Sequence, residues 1–216
     1  MKSSANTIFA MIMCLLLISS YGCKKDDKDL SAKEAIENEN VVAVGCPKTE
    51  YRDWKTSEYV LPYPMGQSYM VTLSHCGGSF HSIDGPDQFA VDFAMDIGQT
   101  ITAVREGIVV HVEESGIDGE FPNNLVVIEH EDGTFAQYMH LTQNGALVEK
   151  GDKIEQGQNI GLSGNTGLAG FPHLHFVVTE KGSFHYPYTS IPVTFRNTSP
   201  NERSLAAGYR YTAFDY

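Results

Sequence analysis

From about Val44 onward the chain is written in short segments rich in β-branched and aromatic residues, separated by glycine-bearing turns, and this texture excludes helical folds. The segments YMVTL (69–73), FAVDFAM (89–95), ITAVREGIVVHVEE (101–114), NLVVIEHEDGTFAQYMHL (124–141) and HLHFVVTE (173–180) are strand-like and often alternate apolar with polar residues. No stretch of comparable length carries a 3.6-residue apolar period. Asp132-Gly133 sits between two alternating runs and marks a hairpin, and SGNTG at 163–167 marks a further turn. The expectation is an all-β, largely antiparallel single domain, sheet-like or barrel-like. Its entrance at 44–68 and its tail from about 182 are loop-rich. With 216 residues and 42% apolar content, the chain is long enough to bury a core.

The N-terminus reads differently. Lys2 precedes the short apolar run FAMIMCLLLI (9–18), and SSYGC brings small residues up to Cys23. Residues 1–22 resemble a bacterial lipoprotein signal peptide with Cys23 as the lipidated residue, although Tyr21 departs from the usual pattern. The run is short for a membrane span, and a retained anchor is the alternative. Residues 23–43 are charged and nearly devoid of large apolar groups, so they read as a flexible tether, leaving 44–216 as the domain. A membrane-anchored envelope lipoprotein is expected, at the outer membrane with a periplasmic or surface face, and monomeric by default.

Loss of Lys2 with the signal takes the formal net charge from −12 to −13. Such an acidic chain argues against DNA or RNA as a partner, because phosphate binding needs a basic surface. Cys14 leaves with the signal and Cys23 is the lipid site. Cys46 and Cys76 remain, and in an oxidising compartment they form either one disulfide, worth about 3 kcal/mol in the loop-entropy model, or two free buried thiols.

Chemistry enters with FPHLHFVV, Phe171 to Val178. On a strand His173 and His175 point to one face while Leu174 and Phe176 point to the other, so the apolar pair fills the core and the imidazoles share a cleft. In FAVDFAM, Asp92 is the lone acid on a face otherwise made of alanines, costly to bury unless it binds something. In AQYMHL, Tyr138 and His140 are expected to share a face, adding a third cleft histidine. His81 lies in the polar loop SFHSIDGPDQ just before the Asp92 strand. His111, His130 and His185 read as surface or hydrogen-bonded residues.

The order of His81, AVDFAM, VVIEHEDGTFAQYMHL, SGNTG and HLHF resembles the lysostaphin-like or LytM-type zinc metallopeptidases, which cleave peptide cross-links of peptidoglycan. The resemblance spans roughly residues 75–180. It implies the LytM (duplicated hybrid motif) fold and a zinc ion held by His81, Asp92 and His175, with water in the fourth position. It further implies that His140 and His173 form the catalytic pair, one taking a proton from water and the other steadying the oxyanion or protonating the leaving amine. In a Gram-negative envelope the implied bond joins D-Ala to diaminopimelate. The chain has no HExxH motif.

Two departures stand out. Ten residues separate His81 from Asp92 where many relatives have three, which makes His75 a competing first ligand. Val177 follows HLHF where relatives commonly carry glutamate, altering the outer support of the ligands. A non-catalytic peptidoglycan-binding or amidase-activating module is the alternative reading. A phosphotransferase carrier domain is a third, opposed by the export signal.

Overall fold

Strand β10 (His173–Thr179) is buried at all seven positions, and the molecule is arranged around it. The structure, a computed structural model, describes residues 44–182 and 184–216; the signal peptide and tether expected at 1–43 lie outside them. The β texture of the sequence appears as two antiparallel sheets. In the larger one, β10 lies between β2 (Val91–Ala94) and β6 (Phe135–Met139). Outward from β2 come β1 (Ser68–Leu73) and β11 (Arg210–Thr212). Outward from β6 come β5 (Leu125–Glu129), β4 (Gly107–Glu113) and β8 (Lys153–Ile154). The smaller sheet orders β3 (Thr100–Thr102), β9 (Asn159–Ser163) and β7 (Leu141–Ala146). Among the described residues no helix is long and apolar enough to cross a membrane.

Alternation decides what each strand buries. Leu174, Phe176 and Val178 of β10 join Val91 and Phe93 of β2, Ala136 and Tyr138 of β6, and Val126 and Ile128 of β5 in one core cluster. Each Val, Leu, Ile or Phe among them contributes roughly 1.5–3 kcal/mol on removal from water, so the alternating face fixes the strand register. That register places His175 opposite Asp92 and His173 opposite Ala94 on β2, and His175 opposite Met139 on β6.

Two expectations need correction. The segment 101–114 is not one strand. Val104 donates its N–H to the Tyr138 hydroxyl and Ala103 donates to the Gln158 carbonyl, so the chain leaves the small sheet at Thr102 and re-forms as β4 in the large one. Tyr138 and His140 also do not share a face. Tyr138 lies in the core against Phe176, whereas His140 has left the strand with φ +65° and turns into the cleft. Strict alternation would have sent His140 to the core side.

The entrance from residue 44 is loop apart from one 3-10 turn, Trp54–Thr56. Cys46 and Cys76 are joined in a disulfide, which settles that open choice. It ties the entrance to the loop that carries His81. The tail is mostly loop, but it returns to the sheet as β11 beside β1.

Candidate metal centre

Five side chains from four segments meet on the face of β10 away from the core. Asp92 of β2 lies at the middle, with its Oδ1 2.8 Å from Nδ1 of His175, 3.4 Å from Nε2 of His81 and 3.9 Å from Nε2 of His173. The His140 ring stands 4.7 Å from that of His173 and 5.8 Å from that of His175, centre to centre. One donor atom each from His81, Asp92 and His175 falls within 4.8 Å of the others, and the same holds for His140, His173 and His175. The two sets share His175, so they outline one cavity.

Backbone carbonyls fix three of the four imidazoles. A carbonyl oxygen only accepts, so the ring nitrogen facing it carries the proton. Nδ1 of His140 donates to the Thr166 carbonyl at 2.7 Å, Nδ1 of His173 to Phe171 at 2.8 Å, and Nδ1 of His81 to Ser74 at 3.3 Å. Each therefore turns a bare Nε2 into the cavity when neutral. His175 is the exception, presenting Nδ1 to Asp92, while its Nε2 meets Oδ1 of Asp87 at 3.2 Å.

Bonds within the turn at 163–167 keep the Thr166 carbonyl in place. The Thr166 hydroxyl donates to the Leu141 carbonyl and accepts from the Asn124 N–H, and the Asn165 N–H donates to Asp118 Oδ1. Gly164 packs so closely on the Thr142 backbone that a Cβ there would meet its nitrogen at 2.2 Å. The Gly164 carbonyl accepts from the His173 N–H at 3.3 Å.

The electrostatics divide the residues into two groups. Burial opposes charge on Asp92, but the imidazoles of His175 and His81 outweigh it and hold the carboxyl well below the usual carboxylate range. Burial likewise pulls His175 down, yet Asp92 and Asp87 reverse this and raise it to about 10. Burial, reinforced by His175 and His173, pushes His140 down to about 3. His173 is lowered by burial, with Asp92 pulling the other way.

A metal ion suits this donor set. Nε2 of His81 is fully buried and has no hydrogen-bond partner among the described residues, although it faces a carboxylate. Two imidazole nitrogens and one carboxylate match the ligands zinc takes in catalytic sites. His75, the competing first ligand, is directed elsewhere. Its Nδ1 lies 3.2 Å from the Tyr51 hydroxyl and its Nε2 3.1 Å from that of Ser204. His130 is buried and donates Nδ1–H to the Glu106 carbonyl, while His111 and His185 pack with Phe184. Asp87 is the site residue that sequence reasoning missed. It was visible only as one acid in a polar loop, 88 positions from its partner His175.

The chain matches the model of peptidase family M23 over residues 87–187. That stretch matches the family's domain model, and the antiparallel β architecture matches the M23 fold. No curated protein matches the chain. Three solved structures illustrate its neighbours. The catalytic domain of the antimicrobial peptidase lysostaphin from Staphylococcus simulans is 29% identical, over 61% of this chain and 84% of that one, with a TM-score of 0.41. A zinc containing peptidase from Vibrio cholerae is 28% identical, over 59% of this chain and 37% of that one, with a TM-score of 0.39. Pseudoalterin, an M23 metalloprotease from the deep sea, is 15% identical over 73% of this chain and 99% of that one, with a TM-score of 0.53; this likeness is one of fold.

Proposed function

We propose that the protein is a zinc-dependent endopeptidase that hydrolyses peptide cross-links of peptidoglycan. The M23 domain supports a peptidase acting on peptidoglycan in general. The observation that carries the finer reading is the convergence of His81, Asp92, His140, His173 and His175 on one cavity, with both of the zinc-type donor sets passing through His175.

His81 through Nε2, Asp92 through its carboxylate and His175 through Nδ1 would hold the ion. Zinc bound there would polarise the scissile carbonyl and lower the pKa of water toward roughly 7. The protein's own part is proton handling. His140, kept neutral by burial and by its neighbours, accepts a proton from the attacking water at Nε2, which is free because Nδ1–H is committed to Thr166. His173, with its Nδ1–H committed to Phe171 and its charged form disfavoured by burial, also presents a bare Nε2, so it steadies the developing oxyanion or supplies the leaving amine only after Nε2 has taken up a proton in the course of the reaction. Both rings are held in orientation before substrate arrives, which spares reorganisation during the reaction.

We place the protein in the cell envelope, tethered through Cys23, on the character of residues 1–43 alone. Mass spectrometry of muropeptides tests the activity. Zinc-loaded protein should convert cross-linked dimers of purified peptidoglycan to monomers, and His175→Ala should leave them intact. Dimers that persist with both proteins would favour a binding or regulatory module.

A further inference from the structure

Three of the four cavity histidines are oriented by backbone carbonyls, whereas among the described residues the partner of His175 at the nitrogen that faces away from Asp92 is a carboxylate, that of Asp87. We propose that Asp87, steadied by Tyr188, is the positioning carboxylate of this site: it accepts and holds the Nε2–H of His175, so that Nδ1, aimed at the metal position, is the nitrogen that gives up its proton when the metal binds. The inference rests on the zinc reading above.

The geometry is a chain of three groups. The Tyr188 hydroxyl donates to Oδ1 of Asp87 at 2.5 Å, and the same oxygen lies 3.2 Å from Nε2 of His175. Tyr188 is itself held, because its ring packs in a small buried cluster with Ala90 and Val177, against Met139. Asp87 is placed by its own backbone: the Ala90 N–H donates to the Asp87 carbonyl at 2.9 Å, a turn leading directly into β2. Its side chain is 17% exposed, so the pair is largely shielded from competing water.

The chemistry requires such a group. An imidazole binds a metal only through an unprotonated nitrogen, and the remaining proton must sit on the other one. At His140, His173 and His81 a carbonyl keeps the proton on Nδ1. At His175 the assignment is reversed, and Asp87 is the acceptor that reverses it. Val177, next on the same face of the strand, offers no polar atom, so the acceptor must come from outside β10. Asp87 is not a fourth ligand in this arrangement, since it contacts the ring nitrogen that diverges from Asp92. Its charge also makes the imidazole a stronger donor to the metal.

The test is zinc affinity of the full-length protein by chelator competition, measured for wild type, Asp87→Ala, Asp87→Asn, Asp87→Glu and Tyr188→Phe, with His175→Ala as reference. Thermal midpoints of the metal-free proteins serve as the check on folding. Asp87→Ala is expected to weaken zinc binding about 10- to 100-fold, as loss of an outer carboxylate generally does. Asp87→Asn and Tyr188→Phe should weaken it less, and Asp87→Glu should recover part of the loss. Wild-type affinity in a folded Asp87→Ala protein would overturn the proposal. If Asp87→Ala does not fold, unchanged affinity in both Asp87→Asn and Tyr188→Phe would overturn it. Wild-type protein that binds no zinc would instead overturn the metal reading, so the two failures are distinguishable.

Discussion

Breaking the Cys46–Cys76 bridge should lower stability by an amount the chain itself sets. The linked residues are 30 positions apart. In the loop-entropy model, closing a loop of that length in the unfolded chain is worth about 3–4 kcal/mol at 25 °C. For a domain of this size each kcal/mol moves the thermal midpoint by roughly 2–4 °C, so the Cys46→Ser/Cys76→Ser protein should melt roughly 10 °C below wild type. The metal position should feel the change far less. His81 keeps its N–H bond to the Gly78 carbonyl and its Nδ1 bond to Ser74. Zinc affinity at 25 °C should therefore fall only a few-fold. Calorimetry of both proteins without reductant, followed by chelator competition, reads the two quantities separately. A midpoint within about 2 °C of wild type would refute the entropic reasoning. A collapse of zinc affinity in a still-folded protein would refute the independence of the His81 loop.

Three further outcomes follow from the same contacts. His140→Ala should lose about 10²- to 10⁴-fold in kcat while retaining one zinc per chain, since His140 is reserved for proton transfer; kinetics with metal analysis checks both. His75 is fully buried and its pKa is pushed down to about 3 by burial and by His81, so between pH 3 and its unfolded value near 6.5 the unfolded chain binds the extra proton. Stability should thus fall as pH drops through 6.5, by about 2 kcal/mol between pH 7.5 and pH 5, and His75→Gln should flatten that part of a denaturation-against-pH curve. Gly164→Ala would drive a Cβ against the Thr142 backbone, and a loss of about 1–3 kcal/mol is expected in urea unfolding.

The residues that sequence placed correctly are those governed by strand alternation. His173 and His175 share a face of β10, Asp92 lies across from His175 on β2, and Leu174, Phe176 and Phe93 point the other way, because one register satisfies both the core and the cleft. His140 entered the cleft for a reason that alternation does not encode. A positive φ turns it after β6 ends, and the Asn123 side chain accepts its N–H. The break between β3 and β4 was hidden for a related reason. It depends on a hydroxyl 34 positions away, on Tyr138, capturing the Val104 N–H. Asp87 and Tyr188 were illegible because each is ordinary in its own loop and acquires a role only when folding brings together two residues 101 positions apart.

The most direct test of the metal centre is a crystal structure of the zinc-loaded protein with diffraction recorded on either side of the zinc absorption edge. The proposed reading requires one anomalous peak about 2.0–2.2 Å from His81 Nε2, an Asp92 oxygen and His175 Nδ1, with His140 and His173 beside it but unbound. A peak seated among His140, His173 and His175, or no peak in this cavity, would contradict it.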